Sequence, residues 1–398
     1  MTELRVGLIV PLREEFGYVS SVVDLLGDFR EQGRVYHSFL VPGTDITGLL
    51  TVLHDMGQSN AAIAAQDLIR VFGVPLVALI GTGAALSSEV GLGDVVVASE
   101  IDSYLHRAKA VGDADHPGGT GLALAGTSWK PSAPLLDHVR NFPLRRASRD
   151  LFTGWSRDAL ANCRLPAGLR PAAGPELHVA PVATGDVVVG SDAFKTVIRN
   201  KNRTLAAVEM EAGGAALSAY HSDTADVLVV RGISDHAAKD KTATDRTHDV
   251  DGLPNAWRRY AVTNATRLLL KLLAAPDFPW RATGPSAVPT TPVTPRGPEP
   301  GSSRGDGTEP GPAPHGSSPD DRSGKAWFDG RTVAAATGAA TALAVESLLH
   351  RRRDIEEAVA AASSPPASDA ENHEARTESA DGPDGPDAGS HPSAGPHS

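Results

Sequence analysis

The chain has 398 residues, with 37 Lys and Arg against 48 Asp and Glu, and its net charge of −11 excludes nucleic-acid binding as a dominant role because such acidity repels phosphate backbones. Residues 276–398 hold 10 basic and 18 acidic side chains and 18 of the 30 prolines, a composition that buries too little apolar surface to offset its ordering entropy. A single cysteine, Cys163, excludes an internal disulfide framework and a cysteine-based zinc site, and fits a reducing cytoplasm.

Residues 1–275 are long enough for one large α/β domain with its own core, and 276–398 read as a disordered tail. The opening Met-Thr-Glu-Leu-Arg runs into a strand-like stretch with no signal-peptide succession, so a cytoplasmic rather than exported protein is expected. Val, Ile and Leu-rich runs at 4–12, 36–41, 49–53, 76–80, 94–99, 177–183 and 226–232 predict strands, several apolar on both faces as interior strands are. Helical spacing predicts helices at 60–71, 193–200, 212–220 and 253–273. Together they predict an α/β sheet covered by helices on both faces. Between 102 and 174 the pattern weakens into Gly, Pro and basic residues, which predicts long loops beside a helix or two. In the tail, the Ala-rich stretch 333–362 predicts one helix, whose apolar part is shorter than the roughly 20 residues a membrane span needs.

Three segments place polar groups at predicted strand ends, where α/β sheets bind ligands. In the first, Gly7-Leu8-Ile9-Val10-Pro11-Leu12-Arg13-Glu14-Glu15, a carboxylate could serve as a general base, although spacing alone favours Glu14 and Glu15 in the first turn of a helix. The second, Gly81-Thr82-Gly83-Ala84 followed by Gly93-Asp94-Val95-Val96, would let a ligand approach the backbone closely. It also reads as a plain chain reversal, and no Gly-Lys-Ser/Thr of a phosphate loop follows. In the third, Val208-Glu209-Met210-Glu211-Ala212 precedes Arg231-Gly232-Ile233-Ser234-Asp235. Glu209 and Glu211, two apart on extended chain, point the same way, yet each could instead cap the following helix. No His, Cys or carboxylate spacing implies a metal.

These motifs, together with Ala183-Thr184-Gly185-Asp186, occur in an order that resembles the nucleoside phosphorylase and nucleosidase superfamily, and most closely the methylthioadenosine/S-adenosylhomocysteine nucleosidases, over about residues 4–273. The resemblance implies the family fold, a central mixed, mostly parallel sheet flanked by helices, together with a homodimer or larger homo-oligomer, no cofactor, and a purine nucleoside as small-molecule partner with water, or phosphate, as co-substrate. It implies Asp235 as the general acid at purine N7, Glu15 as the base that activates water, and Arg231 as the group that orients Glu15 or the water. Glu211 would accept the ribose hydroxyls and Met210 would pack on the sugar. Val187 and Val188 would line the base pocket, with Thr82, Gly83, Ala84, Glu209 and Ser234 completing the substrate site. Three positions depart from the family pattern: Ala84 stands where serine is usual, Leu12 where methionine is usual, and Val187 to Val189 where an aromatic commonly stacks on the base. Leu79 replaces a phosphate-binding arginine of the phosphorylases and favours hydrolysis, whereas Arg13 matches another such arginine and keeps phosphorolysis open. A different class of reading makes the domain a nucleoside or nucleotide sensor whose tail engages an unidentified partner.

Overall fold

A computed structural model describes residues 3–112, 120–239 and 241–281. The chain opens with β1 (Glu3–Val10) and enters α1 (Arg13–Ser20) with Leu12 as N-cap. The strand expected over 4–12 stops short because Pro11 offers no amide hydrogen to a ladder. A hairpin follows, β2 (Leu25–Glu31) and β3 (Arg34–Leu40), joined through Gln32 and Gly33, whose φ of 49° and 75° suit the tight turns that match strand twist. β2 is half-exposed and its sequence carries no clear alternation, so it escaped the sequence reading. Then come β4 (Ile46–Val52), α2 (Gln58–Arg70), β5 (Leu76–Ala85) and β6 (Val95–Ser103).

The weakly patterned stretch holds β7 (Lys109–Gly112), β8 (Thr120–Ala123), β9 (Thr127–Trp129), α3 (Ala133–Asn141) and α4 (Arg149–Ala161). The second half runs β10 (Leu177–Thr184), α5 (Asp192–Lys201), β11 (Ala207–Glu209), α6 (Ala212–Tyr220), β12 (Asp226–Asp235), α7 (Lys241–Asp245) and α8 (Ala256–Leu273). The last helix begins later than the expected 253 because Asn255, just after Pro254, sits left-handed at φ 58° and ends the preceding loop.

The main sheet has the order β11-β10-β6-β12-β5-β1-β4-β3-β2, with β9 on β6. Two features correct the expectation of a mostly parallel sheet. Five of its pairings are parallel and five antiparallel. In addition, β11 pairs with both β10 and β5, which closes part of the sheet on itself. Closure comes from Ala207 and Val208 laid against Ala85 and Ala84, small side chains that let β11 reach the end of β5.

The apolar runs divide by alternation, as interior strands must. Val77 and Leu79 of β5 and Val227 and Val229 of β12 face one core with α2 and α6. Leu76, Ala78 and Ile80, with Leu228 and Val230, face the other core beside Trp155 and the Leu268 to Leu273 part of α8. Phe278 and Trp280, their tilted rings 4.4 Å apart, pack on this second core. The tail from 282, with the helix expected at 333–362, lies outside the described residues. Among the described residues no helix is long and apolar enough to cross a membrane.

Candidate active site

Where β11 closes on β5, its last residue, Glu209, turns back over the start of α6. The Glu209 carboxylate accepts the amides of Glu211 at 3.0 Å and Ala212 at 2.9 Å, satisfying donors that a helix start leaves open. The Thr184 hydroxyl, at the end of β10, accepts the Gly213 amide at 3.2 Å. Glu209 therefore caps α6, as one of its two sequence readings had it, and also pairs with Arg231.

Arg231 is fully buried on β12, and its guanidinium donates to Glu209 and, at 3.1 Å, to Glu211. Burial opposes its charge, but Glu209, Glu211 and Glu15 together hold its pKa above the ordinary arginine value. Glu211 accepts the Gly57 amide at 3.1 Å through its other oxygen. Burial is the main cause that lifts the Glu211 pKa to about 7, with help from Glu209 and Glu15 and against Arg231. Arg231, expected to orient Glu15 or the water, places its hydrogen bonds on Glu209 and Glu211 and acts on Glu15 through its charge.

Glu15 lies in the first turn of α1 and is 1 % exposed. Thr82 fixes it, donating to the same carboxylate oxygen from its amide at 2.8 Å and its hydroxyl at 2.7 Å. Thr82, expected to contact the substrate, thus also holds Glu15 and lines the cavity. The second oxygen of Glu15 is buried without a hydrogen-bond partner. Gly81 leaves it room: a Cβ there would lie 2.5 Å from the Arg231 guanidinium and 3.0 Å from this oxygen.

Asp235 closes β12 and is 1 % exposed. It accepts from the Ala237 amide at 2.9 Å, the Ser234 hydroxyl at 3.2 Å and the Lys241 ammonium at 2.6 Å. Ala237 holds a left-handed φ of 53° in the turn that presents its amide. At the rim, Glu14 accepts from Tyr18, Asn255 and Arg258, each at 2.6 Å. These bonds and the Arg258 charge outweigh burial and keep the Glu14 carboxyl below the ordinary range.

Of the thirteen residues expected to form the site, all but Ser234 and Arg13 line one cavity of about 170 Å³. Ser234 stands behind Asp235, and Arg13 is exposed at the start of α1 away from the lining. Val187 and Val188 form part of the wall and remain 38 % and 60 % exposed, so this side of the cavity is its mouth. A larger cavity of about 390 Å³ near Trp129 and Arg281 lacks such chemistry: Asp226 there accepts the Ser132 amide, and Arg281 donates to the Asp223 carbonyl. Among the described residues no group of three or more His, Cys, Asp and Glu is arranged to hold a metal ion.

Residues 5–274 match the family model of the Phosphorylase superfamily. The chain belongs to the Phosphorylase superfamily. Superfamily relatives include the 5′-methylthioadenosine/S-adenosylhomocysteine nucleosidase of Maridesulfovibrio salexigens, 22 % identical over 68 % of this chain and 99 % of its own length. The nucleosidase of the same name from a Marinomonas species is 25 % identical over 59 % of this chain and 87 % of its own. The solved structure of the Colwellia psychrerythraea nucleosidase in complex with adenine shares the fold, with a TM-score of 0.51 at 19 % identity, covering 69 % of this chain and 96 % of that one.

Within this superfamily frame, the sequence reading missed Met56, Lys241 and Arg258, which also line the cavity. Lys241 lies in a polar stretch without periodicity, and Arg258 meets Glu14 across 244 positions of chain, so no local signal marked either.

Proposed function

We propose that the chain is a purine nucleosidase that hydrolyses the N-glycosidic bond of an adenine nucleoside such as methylthioadenosine or S-adenosylhomocysteine. One observation carries this reading: Glu15, Glu211 and Asp235, from three distant parts of the chain, are 1 %, 4 % and 1 % exposed and line the same cavity. The names of the nucleosidase relatives support the substrate class.

On this reading Asp235 protonates N7, so that the purine leaves as a neutral base and not as an anion. Glu15, held by Thr82 with one oxygen unpartnered, takes a proton from the water that attacks C1′. The sugar passes through an oxocarbenium-like state between the two carboxyl groups. Glu211 accepts ribose hydroxyls, Met210 packs on the sugar, and the valines at 187 and 188 receive the base through apolar contact. Arg231 holds Glu211 and Glu209 in place and gives the buried cluster a positive charge. The working protein on this reading is a homo-oligomer.

Chromatographic base release from methylthioadenosine, S-adenosylhomocysteine, adenosine, inosine and AMP, each with and without phosphate, tests the proposal. Phosphate-independent release is expected, and Asp235→Asn is expected to abolish it while still binding nucleoside. Release only with phosphate, accompanied by a sugar 1-phosphate, would transfer the assignment to a phosphorylase. No release from any compound would leave a binding module.

A further inference from the structure

A general acid must recover its proton after every turnover, and Asp235 is sealed from solvent. Its side chain is 2 % exposed, whereas that of Lys241, 2.6 Å away, is 27 % exposed. The other two donors on Asp235 do not offer such a route. The Ala237 amide does not give up its hydrogen in a turnover, and Ser234 is 3 % exposed. Lys241 alone among the three carries an acidic proton and also reaches water. Around it, Asp245 lies 3.8 Å from the ammonium on the same short helix, and Arg258 of α8 engages Asp245 at 3.3 Å while gripping Glu14 of α1.

We propose that Lys241 is the proton-supplying residue of this site, relaying protons from solvent to the buried Asp235 that protonates the departing base. The relay rests on the nucleosidase reading of the same cavity. As the C1′–N9 bond breaks, its electron pair leaves with the purine, and Asp235 gives a proton to N7. Lys241 passes an ammonium proton to the Asp235 carboxylate, and the neutral amine takes one back from solvent. Meanwhile the attacking water bonds to C1′ and gives its proton to Glu15, which releases it to solvent. The sum is nucleoside plus water to free base plus sugar. Lys241 acts through Asp235 and needs no contact with the substrate.

Three variants of the full chain test this: Lys241→Met, Lys241→Arg and Asp235→Asn, assayed on whichever nucleoside the wild type cleaves. Lys241→Met is expected to lose about 100-fold in kcat with KM within about threefold. Lys241→Arg is expected to do no better, because a guanidinium keeps the positive charge but does not surrender its proton. Added methylamine is expected to restore turnover to Lys241→Met and not to Asp235→Asn, a rescue that a merely structural lysine would not show. Turnover of Lys241→Met near the wild-type rate, full activity in Lys241→Arg, or absence of amine rescue would each overturn the relay while the wild type still releases base. A wild type inert on every nucleoside would overturn the nucleosidase reading, and the relay with it.

Discussion

Glu211 sits under opposing pressures. Burial favours its neutral form, while Arg231 and the Gly57 amide favour the carboxylate. The balance raises its pKa from an ordinary 4.5 to about 7. The folded protein therefore holds this proton more tightly than the unfolded chain. Between about pH 4.5 and about 7 folding takes up a proton, and this residue's contribution to stability falls as pH rises through that window. Binding follows the opposite course, since only the carboxylate accepts two ribose hydroxyls. Affinity for an uncleavable C-nucleoside is expected to rise about tenfold from about pH 6 to about pH 8 in the wild type, and to stay level in Glu211→Gln. Calorimetric titration across that range checks it, and a flat wild-type profile would remove Glu211 from ribose recognition. Glu209 and Arg231 illustrate how far a single residue could be read from the sequence: the cap and the acidic pair were both legible, but their common partner 22 positions away from Glu209 was not.

At the scale of elements, the site depends on two backbones meeting closely. The first turn of α6 contains Gly213 and Gly214, which are poor helix formers, and the reason lies across the interface in α2. A Cβ on Gly214 would stand 1.8 Å from the Gln58 carbonyl oxygen and 2.7 Å from its carbon, both backbone atoms that cannot swing aside. Gly214→Ala is therefore expected to cost about 3 kcal/mol or more by forcing α6 away from α2. Because Glu211 precedes this turn and Gly57 precedes α2, base release is expected to fall with stability; an unchanged melting temperature would contradict the packing argument. Helix α6 was predicted at its observed bounds, since apolar alanines and leucine on a short run need no distant partner to be read. β9 was not, because a strand of three residues owes its existence to the edge it binds, and β11, equally short, was legible only as the strand-to-helix junction before α6.

For the whole molecule, the decisive feature is closure of the sheet through β11. It brings Glu209 and Glu211 to the ends of β5 and β12, and so to Thr82, Arg231 and Asp235. α8, lying along β12, carries Arg258 to the opposite rim. The two core clusters draw on residues from β1 through Phe278, with Trp280 packed against the second. A chain ended after Arg281 is accordingly expected to keep both its melting temperature and its rate of base release. A large loss of either on truncation, measured side by side with the full chain, would mean that the tail contributes to the domain or its site.

Local chemistry was readable from the residues in order. Apolar alternation located the interior strands, since burial on both faces demands it, and helical spacing located α2, α5, α6 and most of α8. The motif order carried the superfamily assignment, and eleven candidate residues do meet in one cavity. Partnership was not readable, because it depends on register and closure, which join residues far apart in sequence. The equal share of antiparallel pairing, the link from Arg231 to the two glutamates, the hold of Thr82 on Glu15 and the approach of Lys241 to Asp235 all arise that way. A side chain declares its chemistry by type, whereas its neighbour across space is chosen by the packing of the entire domain.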